Sequence, residues 1–314
     1  MKKKSPLSIC IPVYNYPVYP LVHELHLQCT KEKIEYEIIL IDDCSLKRIQ
    51  EINKKIQVPN TKYIQLSKNI GRSKIRNLFL NYVKNDWLLF LDCDSELISD
   101  KYINNYLTHD LGDQSVLSGG KTFSSSAPNQ ENILRWKYGR RREMQKNNES
   151  ANRFFSNNFF LNKAILNQVR FNEDLKGYGH EDTQFEIDLF AREYSICVIN
   201  NPTKSVELDT NSVFLEKSIQ AAKNFAQIYS LWRKKRPNIT PAPYKMWRTY
   251  ESVKPFKKAI QIILNILSPI FQKLIKWNSH SLLLLDVIKL QAFMIAINKI
   301  DLDEKRGQIK THNT

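Results

Sequence analysis

Trp87-Leu88-Leu89-Phe90-Leu91-Asp92-Cys93-Asp94 is the stretch whose reading decides the fold. Five apolar residues run directly into two carboxylates separated by one residue. The run is short, aromatic and branched, which predicts a buried strand that emerges at a sheet edge. In an extended chain residues i and i+2 share a face, so Asp92 and Asp94 are expected to point one way and Cys93 the other. Two such carboxylates repel unless a positive group lies between them or one takes up a proton. A hard divalent cation, Mn²⁺ or Mg²⁺, suits them because it prefers oxygen ligands and also accepts phosphate oxygens. A solvated loop after a strand would explain the same pair taken alone, so the surrounding pattern has to decide.

That pattern is an alternation. Leu7–Val13, Tyr36–Ile41 and Thr61–Leu66 are β-rich runs preceding the one at Trp87. Between them, helices are expected at Tyr19–Gln28, with Pro17 in its first turn, at Leu46–Lys55, capped by Ser45, and after Asn69-Ile70-Gly71-Arg72. Further on, Glu131–Gln145 reads as a basic helix with Arg135, Arg140, Arg141 and Arg142 around Trp136, and Arg153–Leu161 as a strand. Gly177-Tyr178-Gly179-His180-Glu181-Asp182 opens a helix expected to turn Ile187, Phe190, Ala191 and Tyr194 to one side, and Ser195–Ile199 is a last strand. Strands alternating with helices predict an α/β fold with a mainly parallel sheet. Ligands in such sheets bind beyond the carboxyl ends of the strands. Tyr14-Asn15, Asp42-Asp43 and Asp92/Asp94 all stand at those ends.

The chain has 314 residues, 42% hydrophobic and 25% charged, enough for a sizeable core. Its net charge of +15 implies an anionic partner. Residues 231–314 hold 16 Lys/Arg against 5 Asp/Glu, so most of that charge sits in the last quarter. Five cysteines, odd in number and without a Cys-x-x-Cys, predict neither a disulfide framework nor a zinc site and fit a reducing cytoplasm. The basic start, Met1-Lys2-Lys3-Lys4, is followed by a run stopping at Val13 and containing Pro12, which reads as a first strand rather than a signal peptide. No uninterrupted apolar run reaches the roughly 18 residues of a spanning helix.

Five motifs in order resemble the inverting family 2 glycosyltransferases, which have the nucleotide-sugar (GT-A) fold. They are Ser8-Ile9-Cys10-Ile11-Pro12-Val13-Tyr14-Asn15, Ile41-Asp42-Asp43-Cys44-Ser45, Asn69-Ile70-Gly71-Arg72 through Arg76-Asn77, Asp92-Cys93-Asp94, and Gly177 to Asp182. The resemblance covers about residues 5–211. It implies that Pro12, Tyr14 and Asn15 line a nucleotide pocket and that Asp43 accepts a hydrogen bond from the uracil imide. It gives Asn69, Arg72 and Arg76 to the base, ribose or pyrophosphate, Asp92 to the ribose or a metal-bound water, and Asp94 to the Mn²⁺ or Mg²⁺ ion. Asp182 becomes the base that takes the acceptor proton, with Glu181 orienting acceptor or donor. Gly179, His180 and Trp136 are acceptor-side candidates. Where many relatives carry a metal-binding histidine, this chain has Ser205.

The implied partners are a UDP-sugar donor and a glycan or lipid-linked saccharide acceptor. The expected domains are a catalytic one, 1–211, with a nucleotide-binding half at about 5–120 and an acceptor half at about 121–211, and a helical basic region, 212–314. Phe256–Trp277 there reads as an amphipathic helix kinked at Pro269, with Lys257, Gln261, Asn265, Ser268, Gln272 and Lys276 on a polar face. It either packs on the catalytic domain or docks on an anionic, cytoplasmic membrane surface. Two other classes answer the same composition less well. A nucleic-acid binder would use the basic charge, but the rim of the sheet is acidic, so no nucleic-acid partner is expected. A nucleotidyltransferase of similar fold would need a Gly-rich loop after the first strand, and Tyr14-Asn15-Tyr16-Pro17 is not one.

Overall fold

A computed structural model of the chain describes residues 5–109, 115–144, 154–235, 244–277 and 279–311. Its elements begin with β1 (Leu7–Val13), α1 (Tyr19–Lys31), β2 (Tyr36–Asp42), α2 (Lys47–Asn53), β3 (Thr61–Gln65), α3 (Arg72–Leu78) and β4 (Trp87–Leu91). Shorter pieces follow: β5 (Ser95–Leu97), α4 (Tyr102–Leu107), β6 (Ser115–Ser118), β7 (Lys121–Thr122) and α5 (Ile133–Tyr138). Then come β8 (Asn158–Asn162), α6 (Lys163–Gln168), α7 (Glu181–Phe190), β9 (Ser195–Val198) and β10 (Thr203–Ser205). Four helices end the described chain: α8 (Asn211–Lys235), α9 (Lys245–Val253), α10 (Lys257–Lys276) and α11 (Leu282–Thr311).

The chain divides into two compact units. The first comprises the chain through Ser126, Gly139–Leu175 and Glu181–Glu207, and its sheet runs β3-β2-β1-β4-β8-β6-β9. β3, β2, β1 and β4 are parallel; β2, β1 and β4 are buried on both faces, which explains their near-continuous apolar runs, whereas the edge strand β3 (Thr61-Lys62-Tyr63-Ile64-Gln65) is only partly buried. Alternate residues serve opposite layers. Ile9, Ile11, Leu89 and Leu91 pack with Leu21, Val22 and Leu25 of α1. Cys10, Ile39, Leu88 and Phe90 pack with Ile75 of α3 and Phe185 of α7. Because β1 lies between β2 and β4, the chain departs in opposite directions on its two sides, and a crevice opens at the carboxyl ends there.

β8 runs antiparallel beside β4, where Phe159 stacks on Phe90 at 4.7 Å between ring centroids and Phe160 stacks on Trp87 at 5.1 Å. β8 begins at Asn158, five residues later than the pattern predicts, and Arg153 lies outside the described residues. The expected helix over Glu131–Gln145 is broken into a 3₁₀ turn, α5 and a π turn at Gly139–Glu143, with Gln145 outside the described residues. The widening falls at Gly139, where a Cβ would sit 2.3 Å from the Phe123 ring. Ser45 caps no helix, since α2 starts at Lys47 and the Ser45 hydroxyl accepts the Asn15 N–H instead. In α1 the proline in the first turn is Pro20 rather than Pro17. α7 ends at Phe190, which is exposed, and Phe185, Ile187 and Leu189 form its buried side.

The second unit comprises Ala127–Tyr138, Lys176–His180 and the chain from Leu208. Leu134, Phe214, Leu215, Ile275, Leu285 and Ile288 form one of its cores, and Tyr229, Tyr250 and Phe293 pack edge to face in another part of it, with Phe225 tilted against Phe293. The helical stretch Lys245–Lys276 is, by length and composition, long and apolar enough to cross a membrane, contrary to the reading from uninterrupted runs.

Asn158 holds β8 to its surroundings. Its Oδ1 accepts from the hydroxyls of Tyr102 and Tyr106, while its Nδ2 donates to the carbonyls of Asn201 at 2.8 Å and Gly120 at 3.1 Å. Asn158→Ala leaves these buried groups unpaired and should destabilise the protein by about 3 kcal/mol, read as a lowered urea midpoint.

Candidate active site

The site is built at the carboxyl ends of β1, β2 and β4. After β2 the two aspartates separate by role. Asp42 is fully buried and accepts from the Ser45 N–H and the Tyr63 hydroxyl, each at 2.7 Å, so it holds the turn. Asp43 accepts from the backbone N–H groups of Ile70 at 2.6 Å and Gly71 at 3.0 Å. Gly71 enters α3 with φ of 84°, a left-handed value that glycine adopts without strain. Asn69 Nδ2 donates to the Asp43 carbonyl at 3.1 Å, so the Asn69-Ile70-Gly71 loop is fastened to Asp43. Each Asp43 oxygen keeps a lone pair for a further donor. Beyond β1, Asn15 also has a left-handed φ, of 55°, and its Oδ1 accepts the Leu46 N–H at 2.7 Å. This arrangement leaves the Tyr14 side chain exposed, next in the chain after β1, in which Pro12 pairs with Ile41.

α3 carries the charges across. Arg76 is buried, and its Nη2 lies 3.1 Å from Asp92 Oδ1 while its Nη1 lies 3.4 Å from Glu181 Oε1. Its guanidinium also stands over the Phe171 ring and donates to the Ser156 carbonyl, while its Nε, buried, has no hydrogen-bond partner. Arg72, one turn earlier, is half-exposed and approaches the same Glu181 oxygen at 3.6 Å. Of the two arginines expected at the donor, Arg76 is thus committed to protein carboxylates, and Arg72 is the one open to solvent.

Asp92, Cys93 and Asp94 do not continue the strand. β4 ends at Leu91, and the Ser95 N–H closes a turn on the Asp92 carbonyl at 3.2 Å. The extended i, i+2 geometry is therefore replaced by a turn, yet the two carboxylates still feel each other. Asp94 is partly buried, and loss of water pushes its carboxyl above the usual aspartate value; Lys121 opposes this, Asp92 adds to it and Arg72 opposes it. Burial pushes the Cys93 thiol up to about 12. Lys121 escaped the sequence reading, although Gly119-Gly120-Lys121 was a visible signal. A Cβ on Gly119 would lie 2.1 Å from the Tyr106 hydroxyl, so glycine there lets β7 and its lysine pass close to the core.

Ser205, on β10, pairs opposite Ser95, and the Val206 N–H donates to the Asp94 carbonyl at 3.2 Å. Its hydroxyl donates to the Glu207 carbonyl. Glu207, also unflagged by sequence, shares with Asp94 the electrostatic surroundings of the Tyr16 hydroxyl, which burial and those charges push up. Among the described residues no three His, Cys, Asp or Glu side chains are grouped to hold a metal. The donor set nevertheless fits a hard divalent cation, because Asp94 is a poorly solvated carboxylate beside a second one.

At the start of α7, Asp182 Oδ1 accepts the Thr183 N–H at 2.7 Å, while Glu181 is buried against Arg76. Trp136, Gly179 and His180 fall in the second unit. There Asn224 Nδ2 reaches the carbonyls of Lys176, Tyr178 and Gly179, and the His180 ring lies 4.7 Å from that of Phe225. Gly179 has φ of 92°, and a Cβ on it would meet Ala221 at 2.6 Å. Asn224, some forty residues away in sequence, carried no signal of this. Trp136 is half-buried on α5. The arginines near it are divided: Arg135 is buried against the Phe214 ring, and Arg140 donates to the carbonyls of Ser124 and Ser125.

Because the site holds the Asp94 carboxyl up, folding favours its protonated form, and the resulting destabilisation is present at neutral pH and gone once pH falls below the ordinary aspartate value of 3.8. Asp94→Asn should accordingly raise the melting temperature of the metal-free protein at pH 7, and the gain should disappear in acid.

The family model for glycosyl transferase family 2 matches residues 8–170, just over half of the chain, and spans the rim from β1 to β4. An uncharacterised glycosyltransferase of Haemophilus influenzae is 35% identical over 96 residues, 30% of this chain and 31% of that protein. The poly(ribitol-phosphate) β-N-acetylglucosaminyltransferase TarS of Staphylococcus aureus is 34% identical over 102 residues, 31% of this chain and 16% of TarS. The matched stretch thus spans less than a third of the length of either relative. Among solved structures, the mannosyltransferase PcManGT of Pyrobaculum calidifontis, in complex with GDP-Man and Mn²⁺, superposes with a TM-score of 0.56 at 14% identity, covering 97% of this chain and 89% of that one. The likeness is one of fold, and the fold is the GT-A type that the motifs implied. With strand order, rim motifs and family model in agreement, this chain belongs to glycosyl transferase family 2.

Proposed function

We propose that the chain is a glycosyltransferase that moves a sugar from a UDP-sugar to a glycan or lipid-linked saccharide, with inversion, in the cytoplasm. One observation carries this reading: Asp43, Asp92 and Asp94 stand on one rim at the carboxyl ends of β2 and β4, flanking β1 at the point where the strand order reverses. PcManGT, of the same fold, is in complex with a nucleotide sugar and Mn²⁺, which supports the same classes of donor and cation here.

Asp43, fixed by two backbone donors, accepts from the imide N–H of the base, and the exposed Tyr14 offers its ring face. Pro12, Asn15 and Asn69 shape this pocket. Arg72 is the half-exposed cation for the diphosphate. Asp94, with Asp92, would hold Mn²⁺ or Mg²⁺, which when bound supplies Lewis-acid neutralisation of the diphosphate. Arg76 acts by positioning, since it fixes Asp92 and Glu181 together. Asp182 takes the acceptor hydroxyl proton as the acceptor oxygen bonds to the anomeric carbon and the bond to the diphosphate breaks, its electrons leaving with the nucleotide. Gly179, His180 and Trp136 are the acceptor-side residues.

A panel of nucleotide sugars with Mn²⁺ or Mg²⁺, scored by hydrolysis and thermal shift, tests the reading. UDP with Mn²⁺ should raise the melting temperature far more than Mn²⁺ alone. Indifference to every nucleotide, with salt-dependent retention on DNA, would overturn it. Asp94→Asn should lose the metal-dependent UDP shift and about 10³-fold in turnover. Asp182→Asn should keep UDP binding and lose about 10²-fold or more in turnover. If donor affinity collapses in that variant, the base has to be sought at Glu181.

A further inference from the structure

α10 is turned the wrong way for a helix in water. Of the residues on its polar face, Ser268 is fully buried and Gln261 and Gln272 are half-buried. Gln272 Nε2 donates to Ser268 Oγ within α10, and at the edge of that face Gln291 of α11 donates to the exposed Asn265 Oδ1 at 3.0 Å. The outward side instead carries Ile262, Ile263, Ile266 and Ile270, exposed by 63, 54, 64 and 52%, and just beyond the helix Trp277 is exposed by 89%. Ile262, Ile266, Ile270 and Trp277 are spaced by four, four and seven, a single ridge. Scattered exposed apolar residues are ordinary, whereas a contiguous ridge marks a surface that something covers.

The charges say what covers it. From Ser252 to Leu285 the chain holds five lysines and no Asp or Glu. Lys258, Lys273 and Lys276 are exposed around the isoleucines, and Trp277 is the kind of residue that sits at headgroup depth. A contact between two copies of this chain would press like charges together, and protein interfaces are depleted in lysine. An anionic bilayer surface answers both features. A spanning arrangement does not, because Leu264 and Ile275 on the other side of α10 are buried and Ile275 packs with Leu282, Leu285 and Ile288.

We infer that α10 lies in the plane of an anionic membrane, its isoleucine ridge among the acyl chains and its lysines at the headgroups. The inference goes beyond the sugar-transfer reading and does not depend on it. The test is co-sedimentation of the full chain with equimolar phosphatidylglycerol–phosphatidylcholine vesicles and with pure phosphatidylcholine vesicles, at low and high salt. The wild type should bind the anionic vesicles at low salt. A variant with Ile262→Ser, Ile266→Ser and Ile270→Ser should bind them roughly 10-fold less or weaker. A variant with Lys258→Gln, Lys273→Gln and Lys276→Gln should lose roughly 10²-fold, and with it the preference for anionic lipid. These positions are exposed, and circular dichroism should show both variants folded as the wild type. Indifference of the wild type to anionic vesicles at low salt overturns the inference, as does wild-type binding by the isoleucine variant. A dimer that the isoleucine variant dissolves, without vesicle binding, overturns it in favour of a second copy. UDP thermal shifts, measured in parallel, report on the catalytic reading separately.

Discussion

The Arg76 guanidinium, buried between Asp92 and Glu181, is the interaction on which the site depends. It ties α3 to the turn after β4 and to the first residue of α7, three segments brought together from positions 76, 92 and 181. A buried ion group of this kind adds little net stability, because desolvation offsets most of the attraction. Its value is geometric. Without the guanidinium, buried Glu181 would keep only the more distant Arg72 and Asp92 would lose its close ion pair, so the three side chains favour the arrangement that keeps them in contact. The Phe171 ring beneath the guanidinium and the Ser156 carbonyl beside it close off alternative poses.

Asp94 stands on the opposite footing. Asp92 has its cation within the protein, whereas Asp94 has lost water, neighbours Asp92 and is relieved in part by Lys121, Arg72 and a backbone hydrogen bond. The same turn therefore holds one settled and one unsettled carboxylate. Activity sites commonly keep a group in a costly state that ligand binding relieves. Asp43 shows the complementary strategy, in which two backbone N–H groups fix a carboxylate without neutralising it. Rigidity at Asp43 and electrostatic tension at Asp94 follow from how each aspartate is solvated by the protein.

The two units solve burial differently. The first closes on itself: β1, β2 and β4 are covered on both faces, and Phe90, Phe159, Phe171 and Phe185 stack in one layer. The second buries aromatic rings between α8, α9 and α11 and leaves α10 with an uncovered apolar side.

The sequence by itself determined the alternation of β1 to β4 with α1 to α3, because the buried parallel strands β1, β2 and β4 must be continuous apolar runs and their turns must be polar. It also determined that Asp43, Asp92 and Asp94 share a rim, since all follow strands that run the same way. Tertiary structure alone decided that Arg76 faces inward while Arg72 faces solvent, though both lie on one side of α3, because the difference is made by Asp92, Glu181 and Phe171 arriving from elsewhere in the chain. The hold of Asn158 on Tyr102, Tyr106 and Asn201, and of Asn224 on the Gly177-Tyr178-Gly179 loop, was equally out of reach, since hydrogen bonds between distant residues leave no local period. The turn at Asp92-Cys93-Asp94 replaced an extended strand because Ser95 bonds back to Asp92, a choice that strand propensity does not encode. For α10 the helical period identified the residues that share a face, but periodicity is silent on which face docks. That was settled by the packing of Leu264, Ser268 and Ile275 inside the unit, Ile275 against Leu282, Leu285 and Ile288, and it put the isoleucines at 262, 263, 266 and 270 outside.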